Sequence, residues 1–273
     1  MTTQQKQGER SGEPDGASPN SLKEADFVQS LARGLLVVRS FDSEHRTQTL
    51  SEVAKRTGLT RATARRLLLT LHDLGYVSMS GRDFSLAPSV LRLGYAYLSS
   101  LGAPAIAQPF LEKLSEQVQE SCSMTVLDGT EVVYVARVPT KRIFSLSLAL
   151  GSRLPAYATS MGRVLLAHLP SEQVDEILNA SDLTRITPNT KIKHSEIRDE
   201  LKKAREQGWY VLDQELEIGL RSVAAPVFGH RGVVAAINVS TPAARVSMKE
   251  VHGEVVPKLM ETAAAVSDAI QAQ

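Results

Sequence analysis

The sequence predicts an α+β fold in two parts, and three observations carry that prediction. Apolar residues recur at helical spacing from Phe27 to Leu74 and give way to a short hairpin, making a compact N-terminal module. The string Leu101-Gly102-Ala103-Pro104 then interrupts any periodicity. Beyond it, apolar strand pairs flank the turns Asp128-Gly129 and Gly229-His230-Arg231-Gly232 and alternate with helical segments. Strands joined by tight turns run antiparallel, so the larger part should carry a mostly antiparallel sheet.

Residues 1–21 are Gly, Ser, Gln, Pro and charge with almost nothing to bury, and read as a disordered tail. Residues 22–86 read as one module. Asp26 is placed to cap a first helix whose inner stripe is Phe27, Leu31, Leu35 and Val38, and the polar stretch Asp42 to Thr47 ends it. Thr49 or Ser51 opens a second helix, with Leu50, Val53 and Ala54 facing inward. Gly58 stops it, because a tight turn needs the left-handed conformation that glycine adopts without strain. Thr60 caps a third helix from Arg61 to about Leu74, in which Ala64, Leu67, Leu68 and Leu71 form one apolar stripe. Tyr76–Ser80 and Phe84–Leu86 then flank the turn Gly81-Arg82 as a hairpin.

Residues 87–102 form a linker helix opened by Pro88, and residues 103–273 form the second domain. Its expected order is a helix near Ile106–Glu120, strands at Ser123–Leu127 and Val132–Val138, and helices at Ser160–His168, Ser171–Leu178 and His194–Gln207. Strands follow at Val223–Phe228 and Val233–Val239, then a long helix from Met248 to Ala272.

Composition excludes several classes. The 273 residues carry 31 Lys+Arg against 30 Asp+Glu, so the total charge points to no partner. Its distribution does: residues 22–100 hold eleven basic and seven acidic side chains, whereas the remainder after them holds eighteen and twenty. A basic module beside a mildly acidic body suits a nucleic-acid reader joined to something else, although a chance distribution would look similar. Cys122 is the single cysteine, so neither an internal disulfide nor a Cys-rich metal site can form, which fits the reducing cytoplasm. No apolar run reaches membrane-spanning length, and no secretory leader is visible. The strings that mark nucleophile elbows, zinc proteases, redox dithiols or dinucleotide loops are absent, and Ser160 beside Arg163 has no base nearby. No catalytic residue, metal or cofactor is expected.

The second and third helices, joined at Gly58 and followed by a hairpin, have the spacing of a winged helix-turn-helix. In that arrangement the later helix enters the DNA major groove. With the apolar stripe turned inward, Ala62, Arg65 and Arg66 face outward, flanked by Arg61 and Thr63. Lys55, Arg56, Arg61, Arg65 and Arg66 place five cations in twelve residues without an acid. Arginine forks onto guanine or clamps phosphate, Thr60 and Thr63 can donate, and Arg82 at the hairpin tip suits a backbone or minor-groove contact. A solvated basic face on a helical bundle is the plain alternative.

The run Leu50-Ser51-Glu52-Val53-Ala54-Lys55-Arg56-Thr57-Gly58-Leu59-Thr60-Arg61, continuing to Leu68, resembles the winged helix-turn-helix of IclR-family transcription regulators. The segment Gly151-Ser152-Arg153-Leu154-Pro155-Ala156-Tyr157-Ala158-Thr159-Ser160-Met161-Gly162-Arg163, continuing to Ala167, resembles that family's effector-domain signature, as does Gly219-Leu220-Arg221-Ser222-Val223-Ala224-Ala225-Pro226-Val227. The opening Phe27–Leu35 run is most similar to the branch that regulates aromatic-acid catabolism by the β-ketoadipate route. The resemblance covers about residues 25–270 and implies a GAF-like effector domain, a homodimer or dimer of dimers on a palindromic operator, and a small carboxylate effector such as protocatechuate, 4-hydroxybenzoate or β-ketoadipate. A DNA-binding protein without an effector is the alternative, but it leaves the large second domain without a task.

Carried onto this sequence, the family's ligand positions are Gly151, Tyr157, Met161, Asp213, Ser222, Asn238 and Ser240. Asn238 and Ser240 lie two apart on a strand and share a face. Asn238 stands where many relatives have serine. Arg142 and Arg153 are candidate cations for a carboxylate. Each has a plainer reading: Gly151 as a turn, Tyr157 and Met161 as core, the two arginines as surface charge, and Asp213, Glu215 and Glu217 as one solvated strand face.

Overall fold

The structure, a computed structural model, describes residues 26–140 and 148–273. The tail expected at residues 1–21 and the candidate Arg142 lie outside the described residues. The chain divides into two compact units between Gly94 and Tyr95.

In the first unit, α1 (Gln29–Arg39) is followed by β1 (Thr47–Thr49), α2 (Leu50–Thr57), α3 (Arg61–Asp73), β2 (Val77–Ser80) and β3 (Asp83–Leu86). α2 starts at a capping box: Thr49 accepts from the Glu52 backbone while the Glu52 carboxylate accepts from the Thr49 N–H. It stops at Gly58, whose φ of 67° is the left-handed geometry a side chain resists. Val53, Ala54, Ala64, Leu68, Val77 and Phe84 are buried together with Val37 and Phe41.

Two expectations need correction here. α1 begins at Gln29 behind Val28, so Asp26 does not cap it. Its buried face is also not the Phe27–Leu31–Leu35–Val38 stripe: Leu31 is 63% exposed and Leu35 49%, whereas Val37 is fully buried. The reason lies in the packing. Val37 is the α1 residue that packs into the core with Val53, Ala64 and Leu68, and Gly34 faces α3, where a Cβ would lie 4.0 Å from Leu67. The wing is also larger than the hairpin expected. β1 pairs antiparallel with β3, giving a three-stranded sheet in the order β1-β3-β2 out of residues that read as a polar break and a helix cap.

A short 3-10 turn at Pro88–Val90 leads into α4 (Leu91–Leu101), and the unit boundary falls within that helix. The second unit contains α5 (Ala103–Val118), β4 (Ser121–Asp128), β5 (Glu131–Val138), β6 (Arg153–Pro155), α6 (Ser160–Ala167), α7 (Ser171–Ala180), α8 (His194–Gln207), β7 (Tyr210–Asp213), β8 (Leu220–Gly229) and β9 (Gly232–Pro242). α9 (Met248–Glu250), a π-turn at Val251–Val255 and α10 (Val256–Gln271) complete it. The long C-terminal helix is therefore interrupted. Pro257, four residues after Gly253, has no N–H and would crowd the Gly253 carbonyl in a regular helix, and the wider π-turn relieves that conflict.

All strands of the six-stranded sheet pair antiparallel, in the order β6-β5-β4-β9-β8-β7. Side chains alternate across it. One face presents Cys122, Met124, Val223, Ala225, Val227, Ala235, Ile237 and Val239 to α5 and α10, a dry core completed by Leu111, Leu114, Leu259 and Val266. Burial pushes the Cys122 thiol up to about 12, so the single cysteine behaves as a hydrophobe. The other face is covered by α6, α7 and α8 through Met161, Val164, Leu166, Leu178, Ile197 and Leu201. There the central strands contribute Ser121, Ser123, Thr125, Ser222 and Asn238, all buried and all polar. No described helix is long and apolar enough to cross a membrane.

Candidate functional site

The outer face of α3 is built by its cap and its stripe. Thr60 accepts from the Thr63 backbone at 3.2 Å, and the two hydroxyls lie 2.9 Å apart. Ala64 and Leu68 anchor the helix inward, which leaves Arg61, Ala62, Arg65 and Arg66 exposed and Thr63 half-buried. Among the described residues none of these three arginines forms an ion pair. Arg82 is exposed at the β2–β3 turn beside Gly81, whose φ is 62°. Arg56 behaves differently: it donates to the Ser40 carbonyl and to Asp42, tying α2 to the preceding loop. The first turn of α3 has no acid and does have Arg61, which sets a cation at the positive end of the helix dipole. That arrangement is unfavourable by itself and becomes favourable when a phosphate lies against the N-terminus.

A pocket opens on the polar face of the larger sheet. Its walls are Leu148, Met161, Leu212, Leu216 and Leu220, and its polar lining is Tyr134, Thr159, Ser160, Ser222, Asn238 and Ser240. No described lining residue is charged. The polar groups form a chain. Ser160 Oγ and Ser222 Oγ are 2.8 Å apart, and Asn238 Nδ2 donates to Ser222 Oγ at 2.8 Å and to Ser240 Oγ at 3.0 Å. Tyr134 stays a neutral phenol, because burial pushes it up to about 12 against a small opposing pull from Arg137. Thr159 caps α6 by accepting from Gly162, so the first turn of that helix borders the pocket. Gly162 cannot carry a side chain there, since a Cβ would collide with the Ala156 backbone. The cavity is narrow, about 30 Å³.

Behind α6 lies a buried charge network that sequence reasoning missed. Arg163 is completely buried. Its Nε donates to the Tyr157 carbonyl, and its two terminal nitrogens meet the Glu215 carboxylate at 2.8 and 2.6 Å. Tyr210 joins Arg163 to Glu200, which Lys191 also reaches at 2.7 Å. Burial disfavours the Arg163 charge, but Tyr210 and Glu215 more than offset it. Thr187 and Thr190 hold the Glu215 backbone from the opposite side. Glu215 is thus an interior ion, not part of a solvated strand face, and β7 ends before it at Asp213. An arginine within the otherwise apolar Met161–Ala167 segment was the available signal.

Of the effector candidates, Met161, Ser222, Asn238 and Ser240 line one pocket. Gly151 occupies a turn with φ 81°, donating its N–H to the Tyr134 carbonyl. Arg153 is 39% exposed at the sheet edge and pairs with Glu131 and Asp128. Tyr157 is buried and donates to the Thr184 carbonyl at 2.6 Å. Asp213 pairs with Arg221. Tyr134, Thr159, Ser160, Leu148, Leu212, Leu216 and Leu220 join the lining without having been named as effector contacts, Thr159 and Ser160 beside Met161 at the start of α6 and the others from segments that only the tertiary fold brings together.

Comparison with known proteins gives matches along nearly the whole described chain. The family model for the IclR helix-turn-helix domain matches residues 30–80, and the one for the bacterial transcriptional regulator IclR C-terminal region matches residues 95–268. The Pca regulon regulatory protein of Pseudomonas putida is 44% identical over 237 residues, 86% of this chain and 81% of that protein. A crystal structure from Rhodococcus sp. RHA1 superposes with a TM-score of 0.80 at 53% identity, covering 89% of this chain and 98% of the other. An IclR homolog from Microbacterium hydrocarbonoxydans, solved in complex with 4-hydroxybenzoate, gives a TM-score of 0.80 at 25% identity, covering 89% and 100%.

Proposed function

This chain belongs to the IclR family of bacterial transcriptional regulators, and from that premise we propose that its second unit senses a small aromatic acid and its first unit reads a palindromic operator. The observation that carries the sensing half is the pocket with apolar walls, no charged residue in its described lining, and one connected row of hydroxyls and amide, Ser160–Ser222–Asn238–Ser240. A few placed polar groups on apolar walls are the usual composition of a small-molecule site. The carboxylate is met by hydroxyl donors and the first turn of α6, whose backbone N–H groups have no partner within the helix. A cavity of about 30 Å³ is too small for an aromatic ring, so binding has to move wall residues. That required movement is how a ligand gains different affinities for two conformations and shifts the balance between them. The relatives named above support the ligand class, since one carries the Pca regulon name and another holds 4-hydroxybenzoate.

On the DNA side, Thr60, Arg61, Ala62, Thr63, Arg65 and Arg66 of α3 form the base-reading and phosphate-binding face, and Arg82 is the wing contact. A single short helix reads few bases, so a two-fold assembly suits the task. The exposed Phe27, Leu31 and Leu35 and the exposed Leu91 and Leu93 are apolar surface that a homodimer would cover, with a dimer of dimers as the larger form. The protein acts in the cytoplasm, with its DNA. Thermal melting of the full chain with 4-hydroxybenzoate, protocatechuate and β-ketoadipate tests the reading. A true effector at about 100 times its Kd adds roughly 2.7 kcal/mol. Unchanged melting with all three leaves a DNA-binding protein without this effector class.

A further inference from the structure

Asn238 is 98% buried on the pocket-lining face of β9, and it has one atom too few partners. A primary amide carries two N–H donors and a carbonyl acceptor. Both donors are engaged, one by Ser222 Oγ at 2.8 Å and one by Ser240 Oγ at 3.0 Å, while Oδ1 has no hydrogen-bond partner and almost no exposed surface. Rotating the amide by half a turn would strand two donors instead of one acceptor, and buried unpaired N–H groups are the rarer and costlier defect. The serines therefore set the orientation. Every other polar side chain in the lining, Tyr134, Thr159, Ser160, Ser222 and Ser240, is a hydroxyl that can donate. Among the polar side chains of the described lining, the Asn238 carbonyl is the one group that can only accept.

We propose that Asn238 Oδ1 selects for a hydroxyl group on the ligand, so that the pocket takes a hydroxylated aromatic acid in preference to the unsubstituted acid or to a keto-dicarboxylate. The proposal rests on the aromatic-acid reading of the pocket and narrows it. A hydroxybenzoate brings both complements: an anionic acceptor for the hydroxyls and a neutral O–H for the orphaned carbonyl. Benzoate lacks the O–H. A 4-methoxybenzoate keeps ring and substituent but turns the donor into an acceptor that faces Oδ1 unfavourably. β-Ketoadipate in its dianionic form brings acceptors alone.

Isothermal titration of the full chain with benzoate, 3- and 4-hydroxybenzoate, protocatechuate, 4-methoxybenzoate and β-ketoadipate decides the matter. At least one hydroxylated acid should bind about tenfold or more tightly than benzoate and 4-methoxybenzoate, the scale set by one satisfied buried polar group. Asn238→Leu should bring hydroxylated and unsubstituted acids to within about twofold of each other, because the discrimination goes with the carbonyl. Benzoate or the methoxy acid equal to every hydroxylated acid in the native chain overturns the proposal, whatever the variant does. So does β-ketoadipate as the tightest ligand, or discrimination that survives in Asn238→Leu. If none of the acids binds, the aromatic-acid reading itself falls and takes this inference with it, a result distinct from binding without discrimination.

Discussion

Arg65 and Arg163 are both cations on helices that carry an apolar stripe, Arg65 between Ala64 and Arg66 and Arg163 between Gly162 and Val164. Arg65 lies on the solvent side of α3 with no ionic partner among the described residues. Arg163 has no exposed surface and meets Tyr157, Tyr210 and Glu215 with its guanidinium. The difference teaches how a cation's role is read: by which of its donors the protein itself has used. A buried charge must be paired and hydrogen-bonded to be tolerated, and Arg163 spends four of its five N–H groups on Tyr157, Tyr210 and Glu215 with no exposed surface for a ligand to reach. An exposed one costs little to keep, and its donors remain free for phosphate or base edges.

The contrast can be broken most forcefully at the buried end. Arg163→Met leaves Glu215 as an uncompensated interior carboxylate, and urea unfolding of the variant should show a loss of about 3–5 kcal/mol. A loss under about 1 kcal/mol would mean that the network is dispensable and the distinction false. At the exposed end, Arg65→Ala and Arg66→Ala should leave unfolding stability within about 0.5 kcal/mol. The same variants should weaken operator binding by about 1–3 kcal/mol or, where the contact is to phosphate, lower the salt slope by about one unit. Unchanged gel shifts across a salt series would remove these arginines from the interface.

Glu200 sharpens the comparison through pH. Burial raises its carboxyl, but hydrogen bonds from Lys191, Lys203 and Tyr210 outweigh that and bring it to about 2, from 4.5. Its folded value is depressed, so its contribution is complete above about 4.5 and is lost as pH falls toward 2. Melting temperature should therefore drop across that window, and Glu200→Gln should flatten the drop. An equal drop in the variant would assign the acid sensitivity elsewhere. The smallest effect belongs to Arg153, whose partners Asp128 and Glu131 are at least as exposed as it is. Arg153→Ala should cost between zero and about 1 kcal/mol, and titration calorimetry should find aromatic-acid affinity unchanged.

What could be read from the sequence followed from local rules. The Thr60 cap, the Gly58 stop, the Ala64–Leu68 stripe and the turn after Asp128 each depend on neighbours a few residues away, and each stands where those rules put it, while of the two helix openings left at Thr49 and Ser51 the chain uses Thr49. The α1 face failed because apolar spacing predicts which residues are similar, not which side another helix approaches, and the core formed around Val37 instead. β1 escaped notice because Thr47–Thr49 is polar and becomes a strand only by pairing with residues nearly forty positions later. The same holds for the pocket. Met161 and Ser222 sit in the motif strings, and Asn238 and Ser240 were reached through the ligand positions the family resemblance implies, whereas Tyr134, Leu148 and Leu216 converge through the tertiary fold alone. Glu215 was ambiguous because alternating acids look the same whether their carboxylates face water or a buried guanidinium.

The strict alternation along β8 and β9 has an evolutionary side. Ile237 and Val239 belong to the dry core, and Asn238 and Ser240 between and beyond them belong to the pocket. On the proposed reading of the pocket, two texts are thus interleaved letter by letter on one strand, one specifying that the domain folds and the other what it recognises. Selection can rewrite every second residue and change the recognised molecule while the folding instructions stay intact. A biosensor library randomised at Ser222, Asn238 and Ser240 should therefore retain folded members at high frequency. A single inserted residue in β9 would exchange the two texts and destroy both.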